Sequence, residues 1–238
     1  MKAIARRCSD WLVGAGVGLA ALSILFTLVP NLRAQPQDGP APRTADGHPD
    51  LSGRYVFQGK APADKPVFKP GSKATLSPMP KGVCAAGGTP TSITIQSTAH
   101  GPIQLLSQPG DLWILTESPQ SVRWIPTDGR PHTKDPDISF AGESYGRWDG
   151  DTLVVDTVGV DHRMRNIFGE ANTWLHSDDQ RVIERFSRPS KNSLTYQVTI
   201  EDPTVLAKPF SWPVTHWSLV EGAGNKWKVV VPVPGCDF

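Results

Sequence analysis

The stretch GESYGRWDGDTLVVDT, Gly142 to Thr157, constrains the fold more than any other part of the chain. Two alternating runs flank Asp149-Gly150, a dipeptide suited to the two left-handed positions of a type I′ turn, so the stretch predicts a β-hairpin. Counting outward from a loop at those two residues sets Trp148 opposite Asp151, Arg147 opposite Thr152, Tyr145 opposite Val154 and Glu143 opposite Asp156. Like charges directly opposite one another are destabilising. A Glu143–Asp156 opposition, on one face with Tyr145 and Arg147, is therefore costly unless the pair shares a proton or holds a cation.

The rest of the chain repeats the alternating pattern. Its 23 prolines and 22 glycines cut it into short pieces, and no window of helical period survives for long. Strands are predicted over residues 51–58, 93–96, 103–107, 111–117, 122–127, 144–148, 151–158, 181–187, 194–201, 212–220 and 226–231. Turn sequences such as QPGD, WDGD, SRPSKNS and EGAGNK separate them. The expected fold is all-β: an antiparallel meander closing into a lipocalin-like barrel or a sandwich. Two long connections, 59–92 and 159–178, have the length of lids or site walls.

The N-terminus carries Lys2, Arg6 and Arg7, an apolar run from Trp11 to Val29, and small and polar residues around NLRAQ. That is the layout of an export signal cleaved after Ala34. The run is also long enough to span a bilayer, so an uncleaved anchor is the alternative, and the only membrane attachment expected. Residues 35–50 then form a flexible Pro/Gly-rich leader, and 51–238 a single β-barrel-like domain. Loss of residues 1–34 removes Lys2, Arg6, Arg7, Arg33 and Asp10, which takes the formal charge from +1 to −2. Such a chain is not a strongly basic nucleic-acid binder. The expected location is periplasmic or extracellular, where Cys84 and Cys236 favour a disulfide over a catalytic or metal pair.

Strand alternation places Glu117 with Trp113 and Leu115, Glu184 with Val182 and Phe186, and Asp156 with Val154 and Val158. A carboxylate among apolar neighbours needs a cation, a metal, donors or a proton. Arg123, Arg147, Arg181 and Arg185 are the candidate cations. Taken singly, each carboxylate is more readily a surface or ion-pair residue; it is their coincidence that points to a site. His132, in TDGRPHTKD, and His176, in TWLHSDD, lie in loops at strand ends, where barrel sites are built. No HExxH or CxxC spacing marks a metal, no Gly-rich loop a nucleotide, and no CxxCH a haem.

The motifs PRTADGHPDLSG, TDGRPH, SYGRWDGDTLVVDTVGV, LHSDDQRVIERFSR and LTYQVTIEDP, in that order, resemble a widespread family of exported bacterial β-proteins. The resemblance runs from about Pro42 to Pro203 and supplies no mechanism. It implies matching positions at Asp156, His176 and Glu184, and a histidine in similar sequences where this chain has Glu143. A cross-strand His–Asp pair there would be acid-base competent; Glu–Asp would serve if the pair held a proton or a metal.

Two functions follow from different classes. The first is an exported enzyme performing acid-base chemistry (elimination, isomerisation or hydrolysis) on a small organic substrate. Its expected residues are His132 or His176 as base or acid, Glu143–Asp156 as a tuned dyad, Glu184 as second acid or orienter, and Arg147 as clamp. No cofactor is expected; a divalent metal on His132, His176 and Glu143 is a variant of this reading. The second is a non-catalytic barrel carrying a hydrophobic or aromatic ligand, lined by Trp113, Trp124, Trp148, Trp174, Trp212, Trp217 and Trp227. Interior polarity separates the two.

Overall fold

The computed structural model describes residues 38–58, 64–78, 88–94, 101–117, 120–168 and 172–220. The export signal, Cys84, Cys236, Trp227 and the strand expected at 226–231 lie outside the described residues. In chain order the strands are β1 (Gly53–Gln58), β2 (Ser77–Pro78), β3 (Ile103–Gln108), β4 (Asp111–Glu117), β5 (Gln120–Pro126), β6 (Glu143–Asp149) and β7 (Thr152–Val158). They continue with β8 (Arg165–Phe168), β9 (Asn172–Leu175), β10 (Arg181–Ser190), β11 (Ser193–Glu201), β12 (Phe210–Ser211) and β13 (Thr215–Leu219). Of the strand expected at 93–96, residues 93 and 94 instead belong to a single helical turn, Thr91–Thr94, four residues long and wholly buried, and 95 and 96 lie outside the described residues. Its β-branched and hydroxyl residues satisfy a strand pattern as well as a turn, and a run this short leaves period undecided.

Nine strands form one antiparallel path, β5-β4-β3-β1-β13-β11-β10-β7-β6, with β12 paired to β11. The path curls until its two ends approach each other, giving a nearly closed barrel in place of a sandwich. The Gly129 N–H donates to the Gly146 carbonyl at 2.9 Å, joining the chain just after β5 to β6. Gly146 permits the approach: a Cβ there would lie 3.1 Å from both Leu153 Cδ1 and Thr127 Cγ2. The 159–178 connection is not structureless; β8 and β9 form a hairpin that pairs with β2 in a small separate sheet.

Alternation along each strand decides what faces inward. β10 turns Val182, Glu184, Phe186 and Arg188 inward, and β11 turns Leu194, Tyr196, Val198 and Ile200 inward. The apolar members of these, with Tyr55, Leu105, Ile114, Leu153, Val155 and Trp217, make one continuous core. Into this apolar interior the chain inserts an ion pair: Arg123 Nη2 lies 2.6 Å from Glu184 Oε2, with Glu184 0% exposed.

Residues 38–50, expected to be a flexible leader, hold on to the body. Arg43 makes two hydrogen bonds to the Asp151 carboxylate at 3.0 and 2.7 Å, and His48 stacks on Trp148 with ring centroids 4.5 Å apart. The polar composition of this stretch, which predicts a loose leader, is spent on those contacts.

Candidate active site

β6 and β7 form the expected hairpin with its loop moved by one residue. Asp149 pairs with Thr152, leaving Gly150-Asp151 as the loop. Gly150 takes φ 60°, the positive value that both hairpin turn types need at the first loop position and that glycine adopts without steric cost. The pairing therefore shifts by two residues: Tyr145 faces Asp156, and Glu143 faces Val158. Direct opposition of Glu143 and Asp156 is thus corrected to a diagonal relation. A shift of two keeps every side chain on its expected face.

His132 occupies the space between the two carboxylates. Its Nδ1 is 2.9 Å from Glu143 Oε1, and its Nε2 is 3.7 Å from Asp156 Oδ2, too long for a hydrogen bond. The ring lies tilted over Tyr145 with centroids 5.3 Å apart. The loop that carries it is fixed by the Gly129–Gly146 backbone bond and by Thr133. Thr133 donates its N–H to Glu143 Oε1 at 2.9 Å and its hydroxyl to Oε2 at 2.8 Å.

Burial disfavours the charge of Glu143, but the hydrogen bonds from Thr133 and His132 more than offset it and hold the carboxyl below its usual range. Asp156 behaves likewise: burial opposes its charge, and Arg181 overcomes the opposition with bonds of 2.8 Å to Oδ1 and 2.6 Å to Oδ2. Both carboxylates are therefore anions at neutral pH, which replaces the expected proton-sharing dyad. An ionised Glu143 can only accept, so Nδ1 of His132 is the donor. When that ring is neutral, its lone pair lies on Nε2. That atom is buried and has no hydrogen-bond partner among the described residues.

Gly129, Arg130, Pro131, His132, Tyr145, Arg147, Val154 and Asp156 line a cleft of about 200 Å³ at this point. Of the six expected residues, His132, Glu143, Arg147 and Asp156 share this outer face of the hairpin. Glu184 does not. On β10, Ile183 pairs with Asp156 while Glu184 pairs with Val155, so the Glu184 side chain projects to the opposite, interior face. There it meets Arg123 and accepts a bond of 3.0 Å from the Tyr196 hydroxyl.

His176 is also elsewhere. It follows β9, is 5% exposed, and donates Nδ1–H to the Ser177 carbonyl at 2.8 Å. It borders a different cavity, of about 500 Å³, formed with residues 69–74, Leu175, Thr204 and Val205. Burial drives its pKa below the ordinary histidine value. The set expected for a metal, His132, His176 and Glu143, is not assembled: among the described residues no three His, Cys, Asp or Glu are grouped to hold an ion.

Thr133 and Arg130 escaped the sequence reading. Thr133 directly follows His132, and a hydroxyl beside a loop histidine is the one local signal that pointed to it. Arg130 stands 5.6 Å from the Tyr145 ring centroid, tethered to Asp128.

Comparison of the chain with protein-family models, curated proteins and solved structures finds no match in any of the three. The geometry of the cleft carries the functional reading.

Proposed function

We propose that the cleft between the 128–133 loop and the β6–β7 hairpin is an acid-base site acting on a small organic molecule, with His132 as the group that moves protons. The observation behind this reading is the state of the ring. Glu143 fixes Nδ1–H, and Nε2 is left with a free lone pair beside a cleft. Proton uptake at Nε2 creates an imidazolium between two anions, Glu143 on one side and Asp156 on the other, which favours the charged product of the step. Glu143 is a positioning residue in this scheme; it sets the tautomer and does not itself exchange the proton. Arg181 keeps Asp156 ionised and in place. Eliminations, isomerisations and hydrolyses all use such a group.

The competing reading, an apolar ligand inside the barrel, has less support. Trp174, Trp212 and Trp217 are buried members of the core, and Trp113 and Trp124 lie on the outside, so these tryptophans do not line an open interior. Export to the periplasm or the exterior, a Cys84–Cys236 disulfide and kinship with the exported family belong to the same proposal and rest on sequence.

The test is a screen of the full chain against small carboxylic acids, esters and hydroxy acids, repeated with His132→Gln and Glu143→Gln. Loss of general acid-base catalysis lowers turnover by about 10²–10⁴-fold. The reading predicts that loss for His132→Gln and a smaller one for Glu143→Gln. Turnover unchanged in His132→Gln would overturn it.

A further inference from the structure

The charged groups around the cleft are held by partners except at one residue. Arg130 is held by the Asp128 carboxylate, with Nε 2.9 Å from each of its oxygens. Asp156 is bound at both oxygens by Arg181, and Glu143 is satisfied by Thr133 and His132. Arg147 is exposed, lines the cleft, and has no hydrogen bond or ion pair among the described residues. Its guanidinium is a planar fork suited to one kind of partner, a carboxylate or phosphate held through two parallel bonds.

The walls narrow the choice. Pro131, Val154 and the Tyr145 ring give the cleft an apolar lining. A volume of about 200 Å³ is below the usual range for drug-sized ligands. Arg147 and Tyr145 point to the same face two residues apart, a spacing of about 7 Å along a strand. His132 sits over Tyr145. A molecule that places an anionic group on Arg147 and lays a short body across Tyr145 therefore brings its far end to the His132 ring.

We infer that the cleft binds a small monocarboxylate with a flat or short apolar body, its carboxylate clamped by Arg147 and its reacting end at His132. Reaction at His132 rests on the acid-base reading; binding of the carboxylate at Arg147 does not. Arg147 is the specificity residue. Glu143 and Asp156 are both engaged by their own partners, so neither occupies the Arg147 guanidinium. A neutral amide of the same shape gains nothing from the guanidinium.

The experiment is an NMR titration of the full chain with benzoate and, separately, benzamide, following the ring signals of His132 and Tyr145. Benzoate is expected to shift both in a saturable way, and benzamide to leave them in place. Loss of a charge-assisted bidentate contact weakens binding by about 10- to 100-fold. Arg147→Gln should show that loss, with Arg147→Lys falling between it and the parent. His132→Gln should still bind benzoate, read at Tyr145. Equal binding of benzoate and benzamide overturns the inference. So does benzoate binding unchanged in Arg147→Gln, or no shift at millimolar benzoate. Arg147-dependent binding without turnover of any carboxylate would uphold the carboxylate site and sink the acid-base reading, so the two fail separately.

Discussion

Arg123 on β5 and Glu184 on β10 meet at 2.6 Å inside the barrel. The same guanidinium donates from Nε to Ser144 Oγ on β6 at 3.0 Å and from Nη2 to Thr157 Oγ1 on β7 at 2.7 Å. One side chain from the first strand of the path thereby reaches the three strands at its other end. Glu184 also accepts from Tyr196, whose phenol is pushed well above its ordinary pKa by burial and then by the glutamate charge. A buried pair of this kind holds the closure in register, and its members depend on each other.

Breaking it should be severe. Removing one partner of a buried ion pair costs about 3–5 kcal/mol, because the other charge is left uncompensated. Arg123→Met and Glu184→Met are each expected to lose stability on that scale in denaturant unfolding. The double variant should recover most of the loss, since apolar replacement of a whole buried pair is often neutral. A double variant as unstable as the sum of the two singles would contradict this account of the pair.

Closure also depends on Gly146. A valine there meets Leu153 and the chain leaving β5, and overpacking a well-filled site costs about 1–3 kcal/mol. Gly146→Val should lower the unfolding free energy by that amount. It should also loosen the loop that carries His132, read as faster hydrogen exchange at the Gly129 amide. Protection of that amide equal to the parent's would count against the seam described here.

Acid should weaken the fold in two windows. His176 has a pKa below the ordinary 6.5 because burial disfavours its charged form. The unfolded chain thus takes up that proton first, and stability falls as pH drops below about 6.5. Glu143 and Asp156 are held below 4.5 and 3.8. Their contribution is complete above those values and is lost as pH falls through the lower folded-state pKa values. His176→Gln should flatten the first window and Glu143→Gln part of the second, in unfolding free energy measured from pH 8 to pH 3. Parallel curves for parent and variants would show that these groups are not the linked ones.

Much of this was legible in the sequence. Alternation alone put Glu184 with Val182 and Phe186 on a buried face, and put Asp156, Glu143, Tyr145 and Arg147 together on the hairpin. It also marked Arg123 and Arg181 as candidate cations, and those are the partners that Glu184 and Asp156 take. Glu117 is paired too, at 2.6 Å, but with Arg54, which lies 63 residues away and carries no local sign of the contact. Two features resisted for physical reasons. The hairpin register turned on which of two adjacent residues opens the loop, and Asp149-Gly150 and Gly150-Asp151 both satisfy turn chemistry. Separation of Glu184 and His176 from the cleft followed from which sheet face and which end of the barrel each occupies. Period-2 reasoning gives a face within one strand and says nothing of how strands distant in sequence are arranged.

The tautomer of His132 is the most direct test. Two-bond ¹H–¹⁵N correlation of the imidazole at pH 8, in the parent chain and in Glu143→Gln, reports which nitrogen carries the proton. The account predicts a single Nδ1–H form in the parent, with Nε2 unprotonated and free to accept, and a mixture in the variant. A parent ring protonated at Nε2, or one averaging freely between the two forms, would contradict the claim that Glu143 prepares His132 to move protons.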